Sequence, residues 1–189
     1  QWKFKNVFVH LDKMLKILKK IFDNEYKELK RFHTIADQIE ALDEEISKLK
    51  EIFQSNEIKK LGYNLKDDYI ALRPYGIKLE NIYFDITIAE YLIDSMSSTS
   101  YECSAIAMKY LTKKVKTKEE LLGKGVKAKK YQDLEFEELS TYISQIIDTV
   151  KNVMPIMETN LKDSYMDGLL YHVEMPLVEV LADMEYEGI

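Results

Sequence analysis

Cysteine, histidine, proline and glycine are all scarce in this chain, and no long apolar run interrupts its polar residues. The one cysteine, Cys103, cannot form an internal disulfide or a Cys-rich zinc site, so a reducing cytoplasmic setting is expected. Alone, it reads as a small buried apolar residue. The three histidines are His10, His33 and His172, and no two of them stand at metal-ligand spacing. Three prolines and six glycines among 189 residues are too few for a low-complexity or disordered chain. No apolar stretch approaches the ~20 residues that a membrane span needs, so no membrane partner is expected. The opening Gln1-Trp2-Lys3-Phe4-Lys5 lacks the apolar core of a signal peptide. It also lacks an initiator Met, and a processed or excised chain is expected.

What the chain does have is an apolar fraction of 46%, enough for one domain with a sizeable core, or a domain with an extension. Its net charge is −6, from 27 basic and 33 acidic residues. That balance argues against a stand-alone duplex DNA binder, which carries a basic face. The charge is uneven, however. Between Lys113 and Lys130 stand eight lysines against Glu119 and Glu120. Such a run is most often a solvated face. The alternative is a phosphate-facing patch, with Lys124, Lys127, Lys129 and Lys130 as its candidate contacts.

Apolar periodicity predicts mostly helices. Lys5–His10, with apolar Val7, Phe8 and Val9, reads as a short strand and Leu11–Phe32 as a helix, with a second helical rhythm from Ile39 to Phe53 and Asp43 as an N-cap. Lys60–Tyr63 and Asn81–Phe84 read as short strands, each followed by a helix. Leu65–Tyr75 places Leu65, Tyr69 and Leu72 on one face. Asp85 stands at the N-cap of Ile86–Ile93. Further helices are expected over Tyr101–Leu111, from Thr117 to Leu122 behind a Thr117/Glu120 capping box, over Leu134–Leu161, and over Gly168–Glu187 with Gly188 as C-cap. The apolar face of the long helix is read as Leu139, Tyr142, Ile143, Ile146, Ile147 and Val150. Pro155 is expected to kink or break it.

Chemistry concentrates at Gly62-Tyr63-Asn64-Leu65-Lys66-Asp67-Asp68. A strand ends, an Asn turns the chain, and an Asp follows four residues on, in the first turns of a helix. Nucleases that use two metal ions bring several carboxylates together from separate elements, with the ions ~4 Å apart. Asp68 fits such a ligand, although an Asp early in a helix is more commonly there to complement the helix dipole.

The segments that follow sharpen this reading. Tyr75-Gly76-Ile77-Lys78-Leu79, Phe84-Asp85-Ile86-Thr87, Ala89-Glu90-Tyr91-Leu92-Ile93-Asp94 and Gly123-Lys124-Gly125 resemble, in order, the middle of the 3′–5′ exonuclease domain of bacterial DNA polymerase I. Val173–Ile189 resembles the helix that opens the polymerase part of that enzyme. The resemblance runs from about Leu42 to Ile189. It implies a ribonuclease H-like α/β fold, here helix-rich with a reduced sheet. It divides the chain into an exonuclease-like domain over 1–170 and the first polymerase helix over 171–189. The polymerase part itself would begin where this sequence stops.

In active members of that family, two divalent ions, Mg or Mn, are held by a D-x-E pair on the first strand, the Asp of N-x-x-x-D and the Asp of Y-x-x-x-D. Its Tyr helps orient the attacking water. Carried over, Asn64-x-x-x-Asp68 fits the second motif, with Asp68 as metal ligand. Tyr142 supplies the tyrosine of the third, but the ligand position falls on Ile146. Asp148 lies two residues on, about 200° round a helix, and cannot simply substitute. The D-x-E with the best context, Asp23-Asn24-Glu25, sits in a stretch that reads as helix, where residues two apart point away from each other rather than sharing a face.

The resemblance therefore implies a degenerate, vestigial proofreading domain with no bound cofactor expected. It would act as a scaffold inside a DNA polymerase I used in replication and repair, meeting DNA through the parent enzyme. The alternatives are an active metal-dependent 3′–5′ exonuclease using Asp68, Asp148 and the Asp23/Glu25 pair, and a helical interaction module unrelated to nucleic acid. Pairing of the strand at Lys59–Tyr63 with that at Asn81–Phe84 would separate the first two readings from the third.

Overall fold

A computed structural model describes residues 49–96, 100–125 and 128–189. The strand, helix and N-cap expected before residue 49 lie outside those residues, as do Asp23, Glu25 and Lys127. The described residues fall into two compact units.

The smaller unit includes residues 49–59 and 75–81. Residues 49–53 are helical. The Glu80 N–H donates to the Phe53 carbonyl at 2.9 Å, and Asn81 Nδ2 donates to the Asn56 carbonyl at 2.7 Å. Among its described residues, Ile77 and Leu79 are the buried side chains.

The larger unit covers Lys60–Pro74 and Ile82–Ile189. It opens on β1 (Lys60–Gly62), which pairs in parallel with β2 (Ile82–Asp85); Leu61 faces Phe84 and Gly62 faces Asp85. The two expected strands are thus present and paired. Each feeds a helix, α1 (Leu65–Leu72) after β1 and α2 (Ile86–Ile93) after β2. Gly62 is needed because a Cβ there would stand 2.4 Å from a methyl of Leu65, the buried residue that starts α1. After α1 a 3₁₀ turn runs over Arg73–Tyr75, so the helical reading to Tyr75 holds with a tighter last turn.

Next come α3 (Cys103–Leu111), α4 (Lys118–Leu122) and α5 (Phe136–Asp163). α4 opens on the expected capping box. Thr117 Oγ1 accepts from the Glu120 N–H at 3.0 Å, and the Glu120 carboxylate accepts from the Thr117 N–H at 2.9 Å. The chain closes with one α turn (Asp167–Leu169), a π turn (Leu170–Glu174) and α6 (Met175–Glu187), ended by Gly188 at φ 82°. The expected C-cap is therefore in place.

Two expectations about α5 are corrected. Of the kink or break expected at Pro155, the break is absent: the helix runs through it for 28 residues. Deeply buried neighbours Val153, Met154 and Met157 hold the turn in place despite the lost backbone bond. The buried part of the apolar face also lies further along the helix than the part read in the sequence, although Tyr142 and Val150 are buried as expected. The buried residues are Tyr142, Thr149, Val150, Val153, Met154, Met157 and Leu161, whereas Ile143 is 41% exposed and Ile146 half-buried. All but one of the buried residues lie from Thr149, at the middle of the helix, onward, and a periodic stripe cannot reveal where along it the partners sit.

Among the described residues, no helix is long and apolar enough to cross a membrane.

Candidate functional site

Because β1 and β2 are parallel, their C-terminal ends lie side by side, the place where open α/β sheets gather functional groups. Asn64 turns the chain out of β1 in the left-handed region, at φ 58°, a conformation that Asn tolerates better than most residues. Asp85 ends β2 and is only 2% exposed. One carboxylate oxygen accepts the Thr87 N–H at 2.8 Å, capping α2 as expected. The other accepts the Leu65 N–H at 2.7 Å, so the same side chain also holds the start of α1. Thr87 Oγ1 donates to Asn64 Oδ1 at 3.0 Å and closes the corner. Burial pushes the Asp85 carboxyl up from its ordinary range, and the backbone N–H groups of Leu65, Thr87 and Asn64 pull it back in part.

Asp68 lies one turn further along α1. Asp68 is exposed, yet the protein packed beside it raises its pKa to about 6, and the Asp85 and Asp67 carboxylates add to the rise. Asp68 and Asp85 thus form an acidic corner.

Tyr142, on α5, is 9% exposed. Burial raises its phenol to about 12, with Tyr131, Tyr63, Cys103 and Glu102 reinforcing the effect. Burial raises the Tyr63 phenol, a hydrogen bond with the Cys103 backbone opposes the rise, and Cys103, Glu102 and Asp85 add to it. Cys103 is buried and its thiol is raised to about 11 by desolvation, which leaves it the inert core residue expected of a lone cysteine.

Among the described residues, the donor set does not by itself fit a pair of divalent cations. Ile146, half-buried on α5, offers no oxygen. Asp148 is committed elsewhere: it is paired with Lys113, which lowers its pKa, and its Oδ1 accepts from Asn152 Nδ2 at 3.0 Å. Both Asp85 oxygens already accept backbone N–H groups. Among the described residues, no group of three or more His, Cys, Asp or Glu side chains is arranged to hold a metal ion. Two hard cations need more oxygen donors than Asp68 supplies among the described residues.

The lysine run is partly neutralised by its own surroundings. Lys124 pairs with Glu119, Lys116 with Glu138 at 3.0 Å, and Lys113 with Asp148. Lys118 lies 5.8 Å from the centre of the Tyr131 ring, at the range of a cation–π contact. Lys129 and Lys130 are exposed.

Sequence reasoning missed a buried polar cluster. Glu90, 1% exposed, accepts from Lys109 Nζ at 2.6 Å and from the Tyr110 hydroxyl at 2.7 Å, while Lys109 also reaches Asp94 at 2.8 Å. The signal was one charge inside the otherwise apolar helix Ile86–Ile93. Also missed was Tyr171, whose hydroxyl donates to Glu158 at 2.6 Å and whose ring stacks on Tyr83 at 4.9 Å.

The family model described as DNA polymerase I, ribonuclease H-like domain, matches residues 22–153. Similar curated proteins are DNA polymerase I of Borreliella burgdorferi, 33% identical over 144 residues (76% of this chain, 15% of the relative), and that of Geobacillus stearothermophilus, 29% identical over 131 residues (69% and 14%). DNA polymerase I of Pseudomonas aeruginosa is 27% identical over 143 residues (74% and 16%). The chain thus spans about 15% of the length of the B. burgdorferi relative. With strand-paired α/β geometry at Asn64–Asp85 and a family match over most of its length, the chain belongs to the DNA polymerase I ribonuclease H-like domain family.

Proposed function

We propose that this chain is a vestigial proofreading domain of a bacterial, cytoplasmic DNA polymerase I, acting as a scaffold in an enzyme of DNA replication and repair. The observation that carries the proposal is Ile146 at the position where Y-x-x-x-D calls for a metal-binding carboxylate, with Asp148 turned to Lys113 instead. Asp68 and Tyr142 are then remnants of the family's metal and water-orienting positions. Neither Mg nor Mn is bound at a two-ion centre, and 3′–5′ hydrolysis is lost. Residues 171–189 act as the first helix of the polymerase part, the partner domain in the same protein. DNA is met through that parent, with Lys124, Lys127, Lys129 and Lys130 giving at most weak, salt-sensitive phosphate contacts.

A 3′-end digestion assay on single-stranded DNA with Mg or Mn tests this reading. No release of mononucleotides is expected. Metal-dependent release that Asp68→Ala abolishes would restore the active-exonuclease alternative. For the lysines, reversing Lys127, Lys129 and Lys130 together should reduce both DNA affinity and its salt dependence, by about one unit of log–log slope for each phosphate no longer neutralised. Unchanged affinity would make the run a solvated face.

A further inference from the structure

The C-terminal helix carries an irregularity that its burial pattern explains. Leu170, Met175, Val178 and Ala182 are all buried, at steps of five, three and four residues. Three and four are α-helical steps. A step of five is not: at 100° per residue it lands about 140° off the face. The π turn covers that step, and the Met175 N–H donates to the Leu170 carbonyl, five residues back. One extra residue is thereby taken up in a single wide turn. Pro176 suits this place, since it has no N–H to donate to the carbonyl four residues before it, and its ring would crowd that carbonyl in a regular α turn.

Both flanks of the turn are fixed in phase by separate interactions. Before it, Leu170 is buried, and Tyr171 donates to Glu158 of α5 and stacks on Tyr83 of β2. After it, Met175, Val178 and Ala182 are buried as α6 packs on α1 and β2. Glu185 pairs with Lys66, Asp183 with Arg73 at 3.3 Å, and the Arg73 guanidinium lies 5.0 Å from the centre of the Tyr186 ring.

We infer that the π turn is a one-residue phase corrector, which lets one helix grip α5 and β2 at its start and α1 at its end, so that the seating of the helix carrying Asp68 depends on it. In a regular α-helix of the same length, the two gripping faces would be about 100° out of phase, and only one of them could engage its partner. The inference stands whether or not the domain retains exonuclease activity.

Deletions in the full chain test it by hydrogen exchange. Removing the exposed His172 together with Pro176→Ala shortens the wide turn to an ordinary one while keeping both flanks in phase. Amides of Leu65–Leu72 and Met175–Glu187 are expected to stay protected. Removing the exposed Val180 leaves the π turn and rotates the end of α6, and protection in α1 and the last turns of α6 is expected to disappear. If the His172 deletion with Pro176→Ala loses α1 protection as fully as the Val180 deletion, the inference is overturned. Pro176→Ala alone keeps the residue count and should keep the ultraviolet signature of the hydrogen-bonded Tyr171. A free-phenol signature in that variant would mean that proline, not phase, holds the turn, and would equally overturn it.

Discussion

The corner at the strand ends and the middle of α5 hold the two halves of one expected site, and they are built differently. At the corner Asp85 has surroundings that account for its charge, whereas burial and neighbouring carboxylates disfavour the charge of Asp68. Asp85 is tied to two helix starts, and Asp68 stands beside it on α1. On α5 the matching position is Ile146, and the nearest acid, Asp148, serves a lysine. Asp85 supports the fold with or without a metal, because it satisfies N–H groups that would otherwise lack partners. A carboxylate at position 146 would have no such duty. The acid that builds the corner, Asp85, is thus held by structural bonds, while position 146, where only a cation would call for an acid, carries Ile.

The largest expected effect comes from removing the structural carboxylate. Asp85→Ala strips two buried N–H groups of a charged acceptor and should cost about 2–4 kcal/mol, the relief of burying a charge offsetting part of two charge-assisted bonds. Urea denaturation measures it. A loss below about 0.5 kcal/mol, the size of an ordinary surface change, would place the corner's stability elsewhere. Next in size is Lys109→Met, which leaves Glu90 buried without its cation and should cost about 2 kcal/mol, less than a fully buried pair because Lys109 is partly exposed. Glu90→Gln combined with Lys109→Met should recover much of that loss. Strict additivity of the two would show that the pair is not coupled.

Ile146→Asp should cost about 1 kcal/mol, since the side chain is only half-buried, and should not bring back 3′-end digestion. Manganese-dependent recovery of digestion would mean that the acidic corner already holds the rest of a working site.

The smallest effect is electrostatic and depends on pH. Asp68 has a folded-state pKa of about 6, above the ordinary carboxylate value, so the folded chain binds its proton more tightly than the unfolded chain does. Its contribution is fully present below the unfolded value of about 4 and is lost as pH rises through about 6. Asp68→Asn should therefore stabilise the protein at pH 8 by up to about 1 kcal/mol, solvent on its open edge screening the rest. The gain should vanish near pH 4. Equal effects at both pH values would show that charge is not the cause.

Much of this arrangement was legible in the sequence. Asp85 at a strand end before an apolar helix signalled its cap, and Asn64 four residues before Asp68 signalled the turn into α1. The second bond of Asp85, to Leu65, was not legible, because it spans 20 residues and depends on the two strands being parallel neighbours. The buried length of α5 was misread because Ile143 and Ile146 continue an apolar rhythm beyond the point where partners cover it. The π turn left a trace in the five-residue step from Leu170 to Met175, but only burial distinguishes that step from chance. Glu90 was hidden by its surroundings: its cation sits on α3, 19 residues away.

The most direct test of the vestigial reading is the response of the unaltered chain's thermal midpoint to manganese, followed from trace to millimolar concentration. A ligand that binds the folded state raises the midpoint by mass action. A vestigial site predicts no saturable rise, and the same flat response in Asp68→Ala. A saturable rise in the unaltered chain that Asp68→Ala removes would contradict it, because Asp68 would then belong to a metal centre that the carboxylates described here do not complete.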